Sequence, residues 1–174
     1  QVRTNLNETV FFYPDLMTDK DGNLLIKFTM NEALTRWKFM LMGHTQDLKS
    51  VIDTRNVVTQ KDLMVMPNAP RFFREGDEIF FTAKVSNLTE KEMNGSAKLM
   101  LFDAISMEPI DAAFGNNEAT LAFTAKAGQS APLVWKINVP DGWNTAITHR
   151  VVAKSGDFSD GEESALPVLT NRML

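Results

Sequence analysis

The chain has 174 residues, 44% of them hydrophobic and 23% charged, which is enough apolar mass for one or two cores of ordinary domain size. Its formal net charge of −4, with Lys and Arg scattered rather than clustered, excludes a nucleic-acid footprint. Cysteine is absent, which excludes disulfides, thiolate metal sites and a cysteine nucleophile, and no run approaches the roughly 18 apolar residues of a membrane-spanning helix.

The first residues, Gln1-Val2-Arg3-Thr4-Asn5, are polar, lack an initiator Met and have neither the basic start nor the apolar core of a signal peptide. They predict a segment from the middle of a larger secreted or cell-surface protein. Val10-Phe11-Phe12-Tyr13 predicts a strand, and Asp19-Lys20-Asp21-Gly22-Asn23 a hairpin turn in which Gly22 takes positive φ. Leu24, Ile26, Phe28 and Met30 then share one face of a second strand. Trp37, Phe39 and Leu41 predict the inner face of a third, with Trp37 read as a core residue, and a weaker run spans residues 50–59.

After Lys61 the pattern restarts. Pro67 and Pro70 rule out a central strand between them. Inward rows follow at Ile79, Phe81, Ala83 and Val85, and at Ala97, Leu99 and Leu101 after a turn expected at Asn94-Gly95. Further rows are Ala119, Leu121 and Phe123, then Leu133, Trp135, Ile137 and Val139, then Ile147, Val151 and Ala153, with a last apolar run at 165–169. About seven short strands at regular spacing predict an all-β fold, an antiparallel fibronectin-III or immunoglobulin-like sandwich, over residues 62–174. Residues 1–61 supply about four strands, too few for an independent core, and predict the C-terminal part of a second sandwich whose other strands lie upstream.

No constellation points to chemistry. His44 and His149 fall in different halves, and neither belongs to a zinc-ligand spacing; both read as strand-end or surface histidines. There is no Gly-x-Ser-x-Gly elbow, and the nine glycines stand singly, without a phosphate-cradling loop. The acidic stretch Asp157-Phe158-Ser159-Asp160-Gly161-Glu162-Glu163 offers oxygen ligands for calcium, but its order lacks the helix-flanked pattern and turn chemistry accounts for its acids. Trp143, beside Pro140-Asp141-Gly142, is the one aromatic expected at the surface, where it would serve a sugar-binding reading; of Phe11, Phe12, Trp37, Phe39 and Trp135 most lie on the apolar face of their strand and read as core. Sequons occur at Asn7, Asn87 and Asn94. The expectation is therefore no catalytic, cofactor-binding or metal-binding residue.

Asn7-Glu8-Thr9-Val10-Phe11-Phe12-Tyr13-Pro14-Asp15-Leu16, then Asp21-Gly22-Asn23 and Leu34-Thr35-Arg36-Trp37-Lys38, resemble the α2-macroglobulin family just after its protease-sensitive bait region. Pro70-Arg71-Phe72-Phe73-Arg74-Glu75-Gly76-Asp77, with Asn87, resembles the opening of the family's seventh macroglobulin domain, and Ser159-Asp160-Gly161-Glu162 with Leu166-Pro167-Val168 its close. The tone of these motifs resembles the large bacterial members. The resemblance implies fibronectin-III-like sandwiches: residues 1–61 as the second half of the sixth macroglobulin domain and 62–174 as the seventh. It implies a scaffold segment of a protease-trapping protein in a bacterial cell envelope, with neighbouring domains of the parent chain as direct partners and target proteases engaged through the parent. Residues 2–7 would then tether the bait to a strand at 8–13, which would pass the change on bait cleavage to the next module. The alternative is a carbohydrate-binding or adhesive sandwich of a bacterial surface protein, dependent on Trp143.

Overall fold

The computed structural model describes residues 2–171, which form twelve strands and no α-helix. In chain order these are β1 (Val2–Arg3), β2 (Arg36–His44), β3 (Ser50–Val58), β4 (Leu63–Asn68), β5 (Phe73–Arg74) and β6 (Glu78–Asn87). There follow β7 (Met93–Asp103), β8 (Thr120–Ala125), β9 (Ser130–Asn138), β10 (Ile147–Ser155), β11 (Phe158–Leu166) and β12 (Val168–Leu169). The chain divides into two compact units: residues 61–171 together with 2–4, and residues 5–60.

The larger unit is a sandwich. A five-stranded sheet runs β1-β11-β10-β7-β8, a three-stranded sheet runs β4-β6-β9, and β5 pairs with β12 beside them. All pairings within the two main sheets are antiparallel except β1 on β11. The period-two patterning explains why these residues make strands: in β9, Ala131, Leu133, Trp135 and Ile137 are buried and every residue between them is exposed. The expected rows at Phe81, Ala83 and Val85, at Ala97, Leu99 and Leu101, and at Ile147, Val151 and Ala153 all face one continuous core. Pro67 is accommodated in β4 because β4 is an edge strand, where a missing N–H costs no ladder bond on the outer side. The connection from β7 to β8 contributes Ile110 and fully buried Phe114 to the core, and Trp143 closes over Phe114 edge-on at 5.1 Å.

Two local expectations are corrected. Asn94-Gly95 is not a turn but the start of β7; a Cβ at Gly95 would lie 2.1 Å from the Lys154 carbonyl oxygen, so the glycine is there for the close approach of β10. The acidic stretch 157–163 is not a loop either. The turn is confined to Gly156-Asp157, with Gly156 at φ 56°, and Phe158 begins β11, whose period-two geometry turns successive side chains to opposite faces.

In the smaller unit, β2 and β3 pair antiparallel over their whole length, Arg36 opposite Val58 through His44 opposite Ser50. The strands expected at 10–13 and 24–30 do not form ladders. Pro14 removes a donor and constrains Tyr13, and the apolar row meets only a small aromatic cluster in which Phe11 packs on Phe28 at 4.4 Å, Tyr13 at 5.0 Å and Phe39 at 6.1 Å. So thin a cover does not fix a register. The turn between them does form, with Gly22 at φ 81° and the Asp19 carboxylate accepting the amides of Asp21 and Asn23. Not one residue from 5 to 60 is fully buried; Trp37, expected in a core, is half-buried and donates its indole N–H to Thr59 Oγ1 at 3.0 Å.

Candidate functional site

The most elaborate polar site lies in the larger unit, where β1 meets β11 and β4. Arg3 and Asp160 are both buried, and Asp160 is reached by four donors. Arg3 Nε binds its Oδ1 at 3.1 Å and Arg3 Nη2 its Oδ2 at 3.0 Å; Lys61 Nζ lies 3.0 Å from Oδ1, and the Val65 amide donates to Oδ2 at 3.0 Å. Arg3 Nη2 also donates to the Val65 carbonyl at 2.9 Å and lies 3.0 Å from Glu162 Oε2. Two cations face two carboxylates, so the cluster is neutral in sum, and each buried charge is compensated as burial requires. Burial pushes the Asp160 carboxyl up, but hydrogen bonds from Arg3, Val65 and Lys61 outweigh it and hold it below the usual carboxylate range. Glu162 goes the other way, raised by burial, with Arg3 opposing and Asp160 reinforcing the rise. A shallow groove of about 260 Å³ runs alongside, lined by Val2, Ser96, Lys98, Lys154 and Ser159 among others.

Local sequence dictates this arrangement only in part. Asp160 points inward because the period of β11 places it opposite Ala153, itself in the core. Arg3 reaches it because Val2 and Arg3 pair parallel with Gly161 and Glu162, where Gly161 leaves room for Val2 Cα at 3.4 Å from a would-be Cβ. The tether expected from residue 2 to a strand at 8–13 is therefore replaced: residues 2–3 are laddered to β11, and 8–13 are not a strand.

The remaining candidates resolve individually. Among the described residues, no three His, Cys, Asp or Glu side chains gather where a metal ion could be held. In the stretch weighed for calcium, the Asp160 carboxylate is fully occupied by protein donors, and Arg150 Nε engages Glu163 at 2.5 Å. His44 ends β2 and is exposed. His149, expected at a strand end or surface, is instead buried in mid-β10, its ring 5.2 Å from Phe81 and its Nδ1 without a hydrogen-bond partner. Burial pushes its imidazole down to about 4, and Glu163 offsets only part of that. Trp143 is half-buried: it packs on Phe114 and donates its indole N–H to the Thr145 carbonyl at 3.0 Å. Asn87 is fully buried, its amide donating to the carbonyls of Lys91, Ala125 and Lys126 at 2.6, 2.9 and 3.2 Å, while its Oδ1 accepts from Thr89. Asn87 is a turn-binding strut and inaccessible to a glycan. Glu75 ties the other end of the unit, accepting from the Gly142 amide at 2.8 Å and from the Asn171 amide.

These features define a class: an immunoglobulin-like antiparallel β-sandwich whose buried polar groups serve to hold chain segments together. A model of the alpha-2-macroglobulin family matches residues 9–99, just over half of the chain, and the chain belongs to that family. It is 24% identical over 167 residues to an alpha-2-macroglobulin of Thermotoga maritima, covering 96% of this chain and 10% of that protein. It is 27% identical over 89 residues to an alpha-2-macroglobulin homolog of Nostoc sp., covering 51% of this chain and 5% of that protein. The chain thus spans at most a tenth of the curated relatives it matches. Among solved structures, Escherichia coli alpha-2-macroglobulin activated by porcine elastase superposes with a TM-score of 0.66 at 15% identity, covering 83% of this chain and 13% of that one. The trypsin-activated form of the Escherichia coli protein superposes with a TM-score of 0.60 at 14% identity, over 87% of this chain and 11% of that one. These superpositions show the all-β fold.

Proposed function

We propose that the chain is a non-catalytic structural segment of a protease-trapping protein of the alpha-2-macroglobulin type, and that it relays the conformational change that follows bait cleavage. The family match over residues 9–99 carries this reading. In this reading residues 1–61 are the second half of the sixth macroglobulin domain, covered in the parent by strands of the same domain, and residues 62–174 are the seventh. Target proteases are met through the parent; the bacterial source of the relatives supports a bacterial parent, and its place in this reading is the cell envelope. A relay requires the cut and uncut states to differ in contacts within this segment.

The test uses the full-length parent. Incubated with an endopeptidase, it should block hydrolysis of large protein substrates, and amide exchange of residues 2–13 should change on cleavage. Inhibition with unchanged exchange would remove the relay and keep the trap; no inhibition would remove both.

A further inference from the structure

We infer that Asp160 is a clasp that, through Arg3 on one side and Lys61 on the other, fixes both flanks of residues 5–60 to the sandwich, with Arg3 the stronger hold. The inference stands on geometry alone. The chain leaves the larger unit after residue 4 and rejoins it at residue 61, and the last and first basic side chains at those two points bind the same carboxylate, on opposite oxygens: Lys61 on Oδ1 and Arg3 Nη2 on Oδ2. The β1 ladder is two residues long, and Val2 is only half-buried, so neither hydrogen bonding nor apolar burial by itself offsets the entropy of ordering this stretch. What orders it is the Arg3 guanidinium, whose planar fork engages Asp160, Glu162 and the Val65 carbonyl together.

The two holds are unequal. Arg3 is buried, while the Lys61 side chain is 38% exposed and makes a single ion pair. An ion pair open to water is weakened by screening, whereas a buried, bidentate one is weakened much less. The flanks also differ in what else holds them. Past Lys61 the chain enters β4 at once, with the Leu88 amide donating to the Asp62 carbonyl at 2.8 Å and Leu63 buried. Before residue 5 the ladder besides Arg3 is the two residues of β1, so loss of Arg3 frees more than loss of Lys61.

The chain has no cysteine, so single cysteines placed at the exposed positions Asn5 and Asp62 carry spin labels without background. In the otherwise unaltered chain the inter-label distance distribution should be narrow. Arg3→Met leaves Asp160 with Lys61 and the Val65 amide; it should broaden the distribution about twofold or more and speed amide exchange of residues 2–4 about tenfold. Lys61→Met should broaden it less, and Arg3→Lys, which keeps the charge and loses the fork, should fall between Arg3→Met and the parent sequence. Slow exchange of β10 serves as the control for an intact sandwich. The inference is overturned if Arg3→Met leaves the distribution narrow, if Lys61→Met broadens it as much as Arg3→Met, or if Arg3→Met abolishes protection of β10, since the ion pair would then be part of the core and not a local clasp.

Discussion

Strands β2 and β9 are nine residues each and alternate with the same period, yet they end differently. In β9 the inward residues Leu133, Trp135 and Ile137 are at most 3% exposed. In β2 the corresponding Trp37, Phe39 and Leu41 are half-buried, and the opposite face leaves Met40 and Met42 exposed, with Ile52 of β3 beside Met42. The difference lies in what covers the strand. β9 sits in a three-stranded sheet that faces a five-stranded one across a shared core, whereas β2 has one partner and a few aromatic rings. Alternation declares that a face is to be covered; it does not say that the cover is within reach of the same stretch of chain. Two-stranded sheets alone are marginal in water, so the larger unit is expected to carry the stability of the chain and the smaller unit little.

The sharpest way to break this contrast is to truncate one tryptophan in each strand. Trp135→Ala removes a core side chain whose indole N–H also satisfies the Ala119 carbonyl, and should cost about 3–5 kcal/mol in equilibrium denaturation. Trp37→Ala, truncating a half-buried ring with one hydrogen bond to Thr59, should cost about 1 kcal/mol or less of the same transition. Equal losses would erase the distinction.

Next in size are two effects confined to the sandwich. Gly95→Ala forces a methyl against the Lys154 carbonyl and the Phe123 ring, and should lower stability by about 3 kcal/mol, read as a shift of the denaturation midpoint at unchanged slope. His149 predicts an acid dependence of similar reach. Its folded value of about 4 lies below the ordinary 6.5, so the unfolded chain takes up a proton first and stability falls as pH drops from 6.5 towards 4, by about 3 kcal/mol in all. The raised Glu162 works in the opposite sense near the foot of that window, and the lowered Asp160 adds its loss only below 3.8. Comparison with His149→Leu isolates the histidine: the variant should lose the slope between pH 6.5 and 4.5. The smallest sandwich effect is Asn87→Ala, which strands the carbonyls of Lys91, Ala125 and Lys126. It should cost about 2 kcal/mol, with faster exchange in the 88–92 turn.

Much of the sandwich is legible in the sequence because strands such as β6, β7 and β9 carry apolar rows of period two, at Phe81, Ala83 and Val85, at Ala97, Leu99 and Leu101, and at Leu133, Trp135 and Ile137. The exceptions are instructive. β1 has no apolar row, and Arg3 reads as solvent-facing until its partner, more than 150 residues later in the chain, is known. Asp160 reads as a loop acid because Asp and Gly are turn residues, and only its place on β11 turns it inward. Phe114 lies in a connection without periodicity, so nothing nearby marks it as core. In residues 5–35 the failure ran the other way: the row Leu24, Ile26, Phe28, Met30 is clear, but without a second sheet over it the backbone does not settle into a ladder. His149 could have been suspected, since it stands in register with Leu101 on a strand whose neighbours Ile147 and Val151 are apolar.

Native-state hydrogen exchange followed strand by strand tests the contrast between the two units most directly. Amides of β6, β7, β9 and β10 should exchange only through global opening, orders of magnitude more slowly than those of β2 and β3, which should exchange by local opening at low denaturant. Protection in the β2–β3 hairpin equal to that of β9, lost in the same transition, would contradict the account.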